Sequence, residues 1–170
     1  LEDDAACALC YTSGTTGNPK GVLYSHKSNI YHATSAYAAL TIDKDDCILM
    51  VVPMFHVLAW GIPYFGPMTG NKLVMPGMGM EGDSLYELID TEGVNSTFGV
   101  PTVWMQLLAY CRENNKVLDS VKNTIIGGSA LSLAMLKEFD EVHDVNVIHA
   151  WGMTEMSPLG TTNLPTKEME

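Results

Sequence analysis

Tyr11-Thr12-Ser13-Gly14-Thr15-Thr16-Gly17-Asn18-Pro19-Lys20-Gly21 is the stretch whose reading decides this chain. Three glycines, four serine or threonine hydroxyls and one lysine fall within it. Glycine accepts positive φ and carries no Cβ, so backbone N–H groups can converge on an anion. The hydroxyls add donors and the lysine adds a point charge, which is the chemistry of a polyphosphate cradle. The stretch is not a Walker loop, because Gly14 and Gly17 are too close and Lys20 sits between Pro19 and Gly21. The plain alternative is a flexible turn rich in Ser, Thr and Gly.

Working outward, Ala5 to Thr12 reads as a buried strand entering the loop, and Gly21 to Ser25 as a short return strand. His26 to Leu40 reads as a helix, with Ile30, Tyr37 and Leu40 among its apolar positions. The continuous apolar run Cys47 to Val52 is that of a strand covered on both faces. Lys72 to Met75 is a further strand. Ser84-Leu85-Tyr86-Glu87 matches a capping box, Leu85, Leu88 and Ile89 follow as a helical stripe, and Gly93 suits the stop.

Ser96 to Gly99 reads as a strand, and Pro101 as the first position of a helix whose Val103, Trp104, Leu107, Leu108 and Cys111 share one face. Thr124 to Ile126 is a strand stopping at Gly127-Gly128-Ser129, and Ser132 caps a helix with Met135, Leu136 and Phe139 inward. Val145 to His149 is the last strand and runs into Ala150-Trp151-Gly152-Met153-Thr154-Glu155. Strands alternate with helices, so the expected fold class is α/β with a largely parallel sheet flanked by helices. Ligands of such sheets bind beyond the carboxyl ends of strands.

The chain has 170 residues, 46% hydrophobic and 17% charged, which suits one packed domain. Its net charge of −11 argues against a nucleic-acid surface. No apolar run approaches the roughly 18 residues that span a bilayer, and none reads as a signal peptide. Cys7-x-x-Cys10 invites a metal or redox reading, but residues three apart on a strand point to opposite faces. Cys7, Cys10, Cys47 and Cys111 are therefore expected to be reduced core cysteines, and the compartment cytoplasmic. A start at Leu1 and an end at Thr166-Lys167-Glu168-Met169-Glu170 read as the boundaries of a piece of a longer protein.

The remaining constellations each admit two readings. Gly127-Gly128-Ser129-Ala130 is a strand-to-helix turn or a bed for a flat base. Trp151 is core or a stacking platform. Thr154-Glu155 is a solvated pair, or a hydroxyl for phosphate and a carboxylate for Mg²⁺. His56 is structural or catalytic, and Trp60 is packing or the wall of an apolar pocket.

Taken together, the loop, Pro53-Met54-Phe55-His56, Gly127-Gly128-Ser129 and Trp151-Gly152-Met153-Thr154-Glu155 resemble the adenylate-forming superfamily in order and spacing. Phe55-His56-Val57-Leu58-Ala59-Trp60 and Gly99-Val100-Pro101-Thr102-Val103-Trp104 resemble its medium- to long-chain fatty-acyl-CoA synthetases. The resemblance covers essentially all of residues 1–170 and implies the central part of an AMP-binding domain, without the C-terminal domain that bears a catalytic lysine. It implies that Thr12, Ser13, Gly14, Thr15, Thr16, Gly17 and Lys20 hold the ATP phosphates, with Thr12 near the metal. Gly128, Ser129, Ala130, His149, Ala150, Trp151 and Gly152 would line the adenine pocket. Thr154 would touch the α-phosphate, Glu155 would bind Mg²⁺, His56 would lie near the reacting carboxylate, and Trp60 would gate the acyl tunnel. Most members carry Tyr where this chain has Trp151, which keeps an aromatic face.

The implied activity is ATP-dependent ligation of a fatty acid to coenzyme A through acyl-AMP. An amino-acid or aryl-acid adenylation domain, or a nucleotide-binding module without catalysis, are the alternatives. Peripheral membrane contact and a homodimer stay open on sequence.

Overall fold

The computed structural model describes residues 2–13 and 17–164. Six strands form one sheet in the order β4 (Lys72–Val74), β3 (Cys47–Met50), β5 (Ser96–Gly99), β6 (Asn123–Ile126), β7 (Asn146–Gly152) and β8 (Leu159–Thr162). Every pairing is parallel except the last, where β8 returns antiparallel on β7. The expected α/β class with a largely parallel sheet is therefore borne out.

Alternation along β3 explains how the sheet is covered. Cys47, Leu49 and Val51 join a core with α3 (Gly82–Glu92), α4 (Pro101–Asn114) and α5 (Leu133–His143). Ile48, Met50 and Val52 join a second core on the other face, with α1 (His26–Ala39) and α2 (Ile62–Thr69). A strand buried on both faces must be apolar at every position, and this one is.

The first strand is not buried as expected. β1 (Ala6–Thr12) pairs only with β2 (Lys20–Ser25), as an antiparallel ribbon separate from the main sheet. Cys10 and Tyr24 turn inward onto Val57, while Leu9, Tyr11 and Leu23 face outward, 51%, 68% and 65% exposed. Two strands have only one face to share with the body of the domain. Ile30 of α1 is likewise exposed.

The capping box expected at Ser84 is also overturned. Glu81 precedes the first turn of α3, and the Ser84 amide donates to the Asp83 carboxylate. Close approach of α3 to α4 sets that start: a Cβ on Gly82 would lie 2.4 Å from the Gln106 carbonyl oxygen. A reciprocal cap forms instead at the start of α1, where the Ser25 and Ser28 amides donate to each other's hydroxyls at 3.1 Å. Gly93 ends α3 in the left-handed conformation, Pro101 opens α4 and the Ser132 hydroxyl caps α5, all as expected. All four cysteines are free; three are buried and Cys7 is half-buried. Burial pushes the Cys111 thiol up to about 11, so it stays protonated and inert.

Candidate active site

Thr12 pairs with Lys20 at the tip of the β1–β2 ribbon. The glycine-rich loop therefore closes a hairpin, with its two ends held side by side. Gly14, Thr15 and Thr16 lie outside the described residues. Ser13, Gly17 and Lys20 are exposed, and Thr12 is half-buried. The ribbon is anchored at its base, where the buried Tyr24 donates its hydroxyl to the Thr154 carbonyl at 2.5 Å. Burial, with the charges of Cys10 and Glu155, raises the Tyr24 pKa well above its ordinary value, so the phenol remains a donor.

A cavity of about 190 Å³ opens beyond the ends of β6 and β7. Gly127 and Gly128 form one side, and the Trp60 indole covers them. A Cβ on Gly127 would sit 3.3 Å from Trp60 Cη2, and Gly128 holds φ +81°. Trp60 arrives there through an unusual turn. Val57, Leu58, Ala59 and Trp60 all have positive φ, between 47° and 57°, before Gly61 at 84° leads into α2. Left-handed backbone costs a non-glycine residue roughly 1–2 kcal/mol, and four in succession concentrate strain where strain commonly serves a site.

Ala150, Trp151 and Gly152 complete the mouth. They belong to β7 rather than to a loop after it, because β8 pairs with Ala150, Trp151 and Gly152 and extends the strand. Trp151 is 56% exposed, so it is a platform and not core. Met153 and Thr154 follow, and Glu155 stands in solvent within a short turn, Thr154–Met156. The inner wall is apolar: Ala36 from α1, Leu40 just after it, Phe98 from β5, Ile125 from β6 and Leu159 from β8.

His56, Trp60, Gly128, Ala150, Trp151, Gly152 and Thr154 thus line one cavity. His149 and Ser129 stand together beside it, with His149 Nε2 3.4 Å from the Ser129 carbonyl oxygen, and Ala130 is exposed in the following loop. Thr12, Lys20 and Glu155 do not line it; they lie toward the ribbon side joined by Tyr24. Sequence reasoning missed Tyr24 and His32. Tyr24 had one local signal, its alternation with exposed Leu23. His32 had none, being a polar residue inside an alanine-rich helix. It lines the cavity, its Nε2 is buried without a hydrogen-bond partner, and burial lowers its pKa to about 4.

The profile of the AMP-binding enzyme family matches residues 1–170. The chain belongs to that family. A medium-chain-fatty-acid–CoA ligase of Ectopseudomonas oleovorans is 52% identical to it over 97% of the chain and 31% of the relative. A 3-methylmercaptopropionyl-CoA ligase of Ruegeria lacuscaerulensis is 48% identical over the same shares. This AMP-binding chain therefore spans about a third of the length of the curated relatives it matches. Among solved structures, O-succinylbenzoate coenzyme A synthetase from Bacillus subtilis, in complex with ATP and magnesium ion, superposes with a TM-score of 0.85. It is 28% identical over 97% of this chain and 34% of that one.

The site of this AMP-binding chain suits both nucleotide and metal. Trp151 presents an exposed indole at the mouth, a face on which a flat base can stack. Among the described residues no three His, Cys, Asp or Glu side chains cluster as a metal cage. The exposed carboxylate of Glu155 is compatible with a Mg²⁺ ion that takes its other ligands from water and substrate phosphate.

Proposed function

We propose that the protein carrying this chain is an acid–thiol ligase that activates a straight-chain carboxylic acid as acyl-AMP and passes the acyl group to coenzyme A. The observation that carries this reading is the form of the cavity: a mouth of glycines, Trp60 and Trp151 backed by an apolar wall of Ala36, Leu40, Phe98 and Ile125. Its described lining includes no aspartate or glutamate, so nothing there would pair with the ammonium group of an amino acid. That favours a fatty acid over amino-acid adenylation, and the identity to the two ligases named above supports it.

In the first step the carboxylate oxygen attacks the α-phosphorus of ATP, forming acyl-AMP and releasing pyrophosphate. In the second the thiol sulfur of coenzyme A attacks the acyl carbon, and AMP leaves. The hairpin loop, with Lys20, would hold the β- and γ-phosphates and neutralise charge on the departing pyrophosphate. Trp151 would stack on the adenine above Gly128, and Thr154 would hydrogen-bond the α-phosphate. His56 would orient the carboxylate, and Trp60 would close the apolar end from the phosphates. Glu155 would hold a Mg²⁺ whose chemistry is charge neutralisation at the phosphates. Positioning and electrostatics are sufficient for this reaction, and no covalent enzyme intermediate enters. The free cysteines fit a reducing compartment, and we place the protein in the cytoplasm on that ground.

The test is pyrophosphate exchange by the intact protein with acids of two to sixteen carbons, followed by acyl-CoA formation when coenzyme A is added. Exchange with straight-chain acids, converted to acyl-CoA with coenzyme A, is the expected result. Nucleotide binding with no exchange for any acid would make the chain a binding module instead.

A further inference from the structure

The cavity is not the only space against α1. An open groove of about 610 Å³ runs between α1 and β8, lined by Tyr31, Ala39 and Met156 together with the hydroxyl residues Ser28, Ser35, Ser157, Thr161 and Thr162. Three residues line both spaces: His32, Ala36 and Leu159. Ala36 contributes only a methyl group. The separation between the two spaces therefore falls to the His32 ring from the helix side and to Leu159 from the sheet side.

We propose that His32 is the partition that ends the acyl pocket, and that its imidazole sets the longest acyl chain the enzyme accepts. This rests on the acyl-CoA ligase reading. Four observations support it. First, the ring is held in place from behind: a Cβ on Gly61 would lie 2.5 Å from His32 Nδ1, so only glycine leaves room for it. Second, among the described residues the buried Nε2 has no hydrogen-bond partner, so no polar network claims the ring. Third, burial holds it uncharged at neutral pH, so an apolar chain can end against it. Fourth, the space on the near side is small. An apolar cavity of ~150 Å³ holds a benzene molecule, and about 190 Å³ is available here. The nucleotide takes the mouth of that same space, so an acyl chain that outgrows the apolar remainder must pass His32 and enter the groove.

The experiment measures kcat/KM for pyrophosphate exchange with acids from hexanoate to hexadecanoate, in the intact enzyme and in three variants. Each methylene newly buried is worth about fourfold in affinity. His32→Ala joins cavity to groove, and the kcat/KM ratio of dodecanoate to hexanoate should rise at least tenfold with the KM for ATP unchanged. His32→Leu keeps a wall of similar bulk without ring nitrogens and should keep the parental profile. Leu159→Ala opens the same partition from the sheet side and should shift the profile as His32→Ala does, which keeps the test intact if His32→Ala does not fold.

Superimposable profiles for parent, His32→Ala and Leu159→Ala, at comparable melting temperatures, would overturn the partition while leaving the ligase reading standing. Equal shifts for His32→Leu and His32→Ala would overturn it too, since the wall would then not be the cause. No exchange by the parent with any straight-chain acid overturns the ligase reading itself, and the partition with it.

Discussion

The hydroxyl of Tyr24 donates to the carbonyl oxygen of Thr154 across 130 residues of chain. One bond thereby joins the ribbon that carries the phosphate loop to the turn that carries Thr154 and Glu155. The ribbon shares no strand pairing with the main sheet. This bond, the small cluster of Cys10, Tyr24 and Val57, and the Asn29 side-chain amide donating to Cys7 Sγ hold it in place.

Tyr24→Phe removes the donor and leaves the ring in place. The expected loss of stability is about 1 kcal/mol, the usual net worth of such a bond, measured by urea denaturation. The KM for ATP should rise severalfold, because loop and turn no longer share a fixed distance. A stability loss with an unchanged KM for ATP would make the bond structural only.

Lys20→Ala should leave folding nearly intact, since the side chain is exposed at the tip of the ribbon. The adenylation rate should fall by two to three orders of magnitude, or roughly 3–4 kcal/mol, the scale for deleting one preorganised charge-stabilising donor. Pyrophosphate exchange within twofold of the parent would remove Lys20 from the phosphate site.

Glu155→Gln keeps the shape and one oxygen but loses the charge that a hard cation favours. The Mg²⁺ concentration giving half-maximal exchange should increase at least tenfold. Overlaid Mg²⁺ titrations of parent and variant would show that the ion is held elsewhere.

Acid should destabilise the fold through its buried histidines. Burial lowers the His32 pKa to about 4 and lowers that of His143 in the same direction, the latter offset in part by Glu138 and Asp119. The unfolded chain, with histidine near 6.5, takes up protons first as pH falls. Stability is therefore full above about pH 6.5 and declines between 6.5 and 4, with His32 accounting for about 3 kcal/mol at most. Urea melts at stepped pH values should show this slope, and His32→Leu should flatten it. An equal slope in the variant would assign the acid sensitivity to other groups.

Several features were legible in consecutive residues because their causes are local. The Ser132 cap, the Gly93 stop, the Pro101 start and the two-faced run of β3 each follow from backbone chemistry or alternation within a few positions. Ser84 shows the limit of a local motif. It satisfied the capping pattern, yet the helix starts three residues earlier, capped at Glu81, with Gly82 packed against α4.

By itself, then, the sequence determined the α/β class and the family, and it offered the candidate residues for phosphate, base and metal. The tertiary structure alone decided which of them meet. It turned Val57 to Trp60 left-handed so that the indole lies on Gly127, lengthened β7 by pairing it with β8, and left half of the ribbon exposed. It also brought His32 to the lining of both the cavity and the groove. Local patterns record what a residue can do, whereas these placements arise from close contacts between segments far apart in the chain, where a single absent Cβ, as at Gly61, decides what fits.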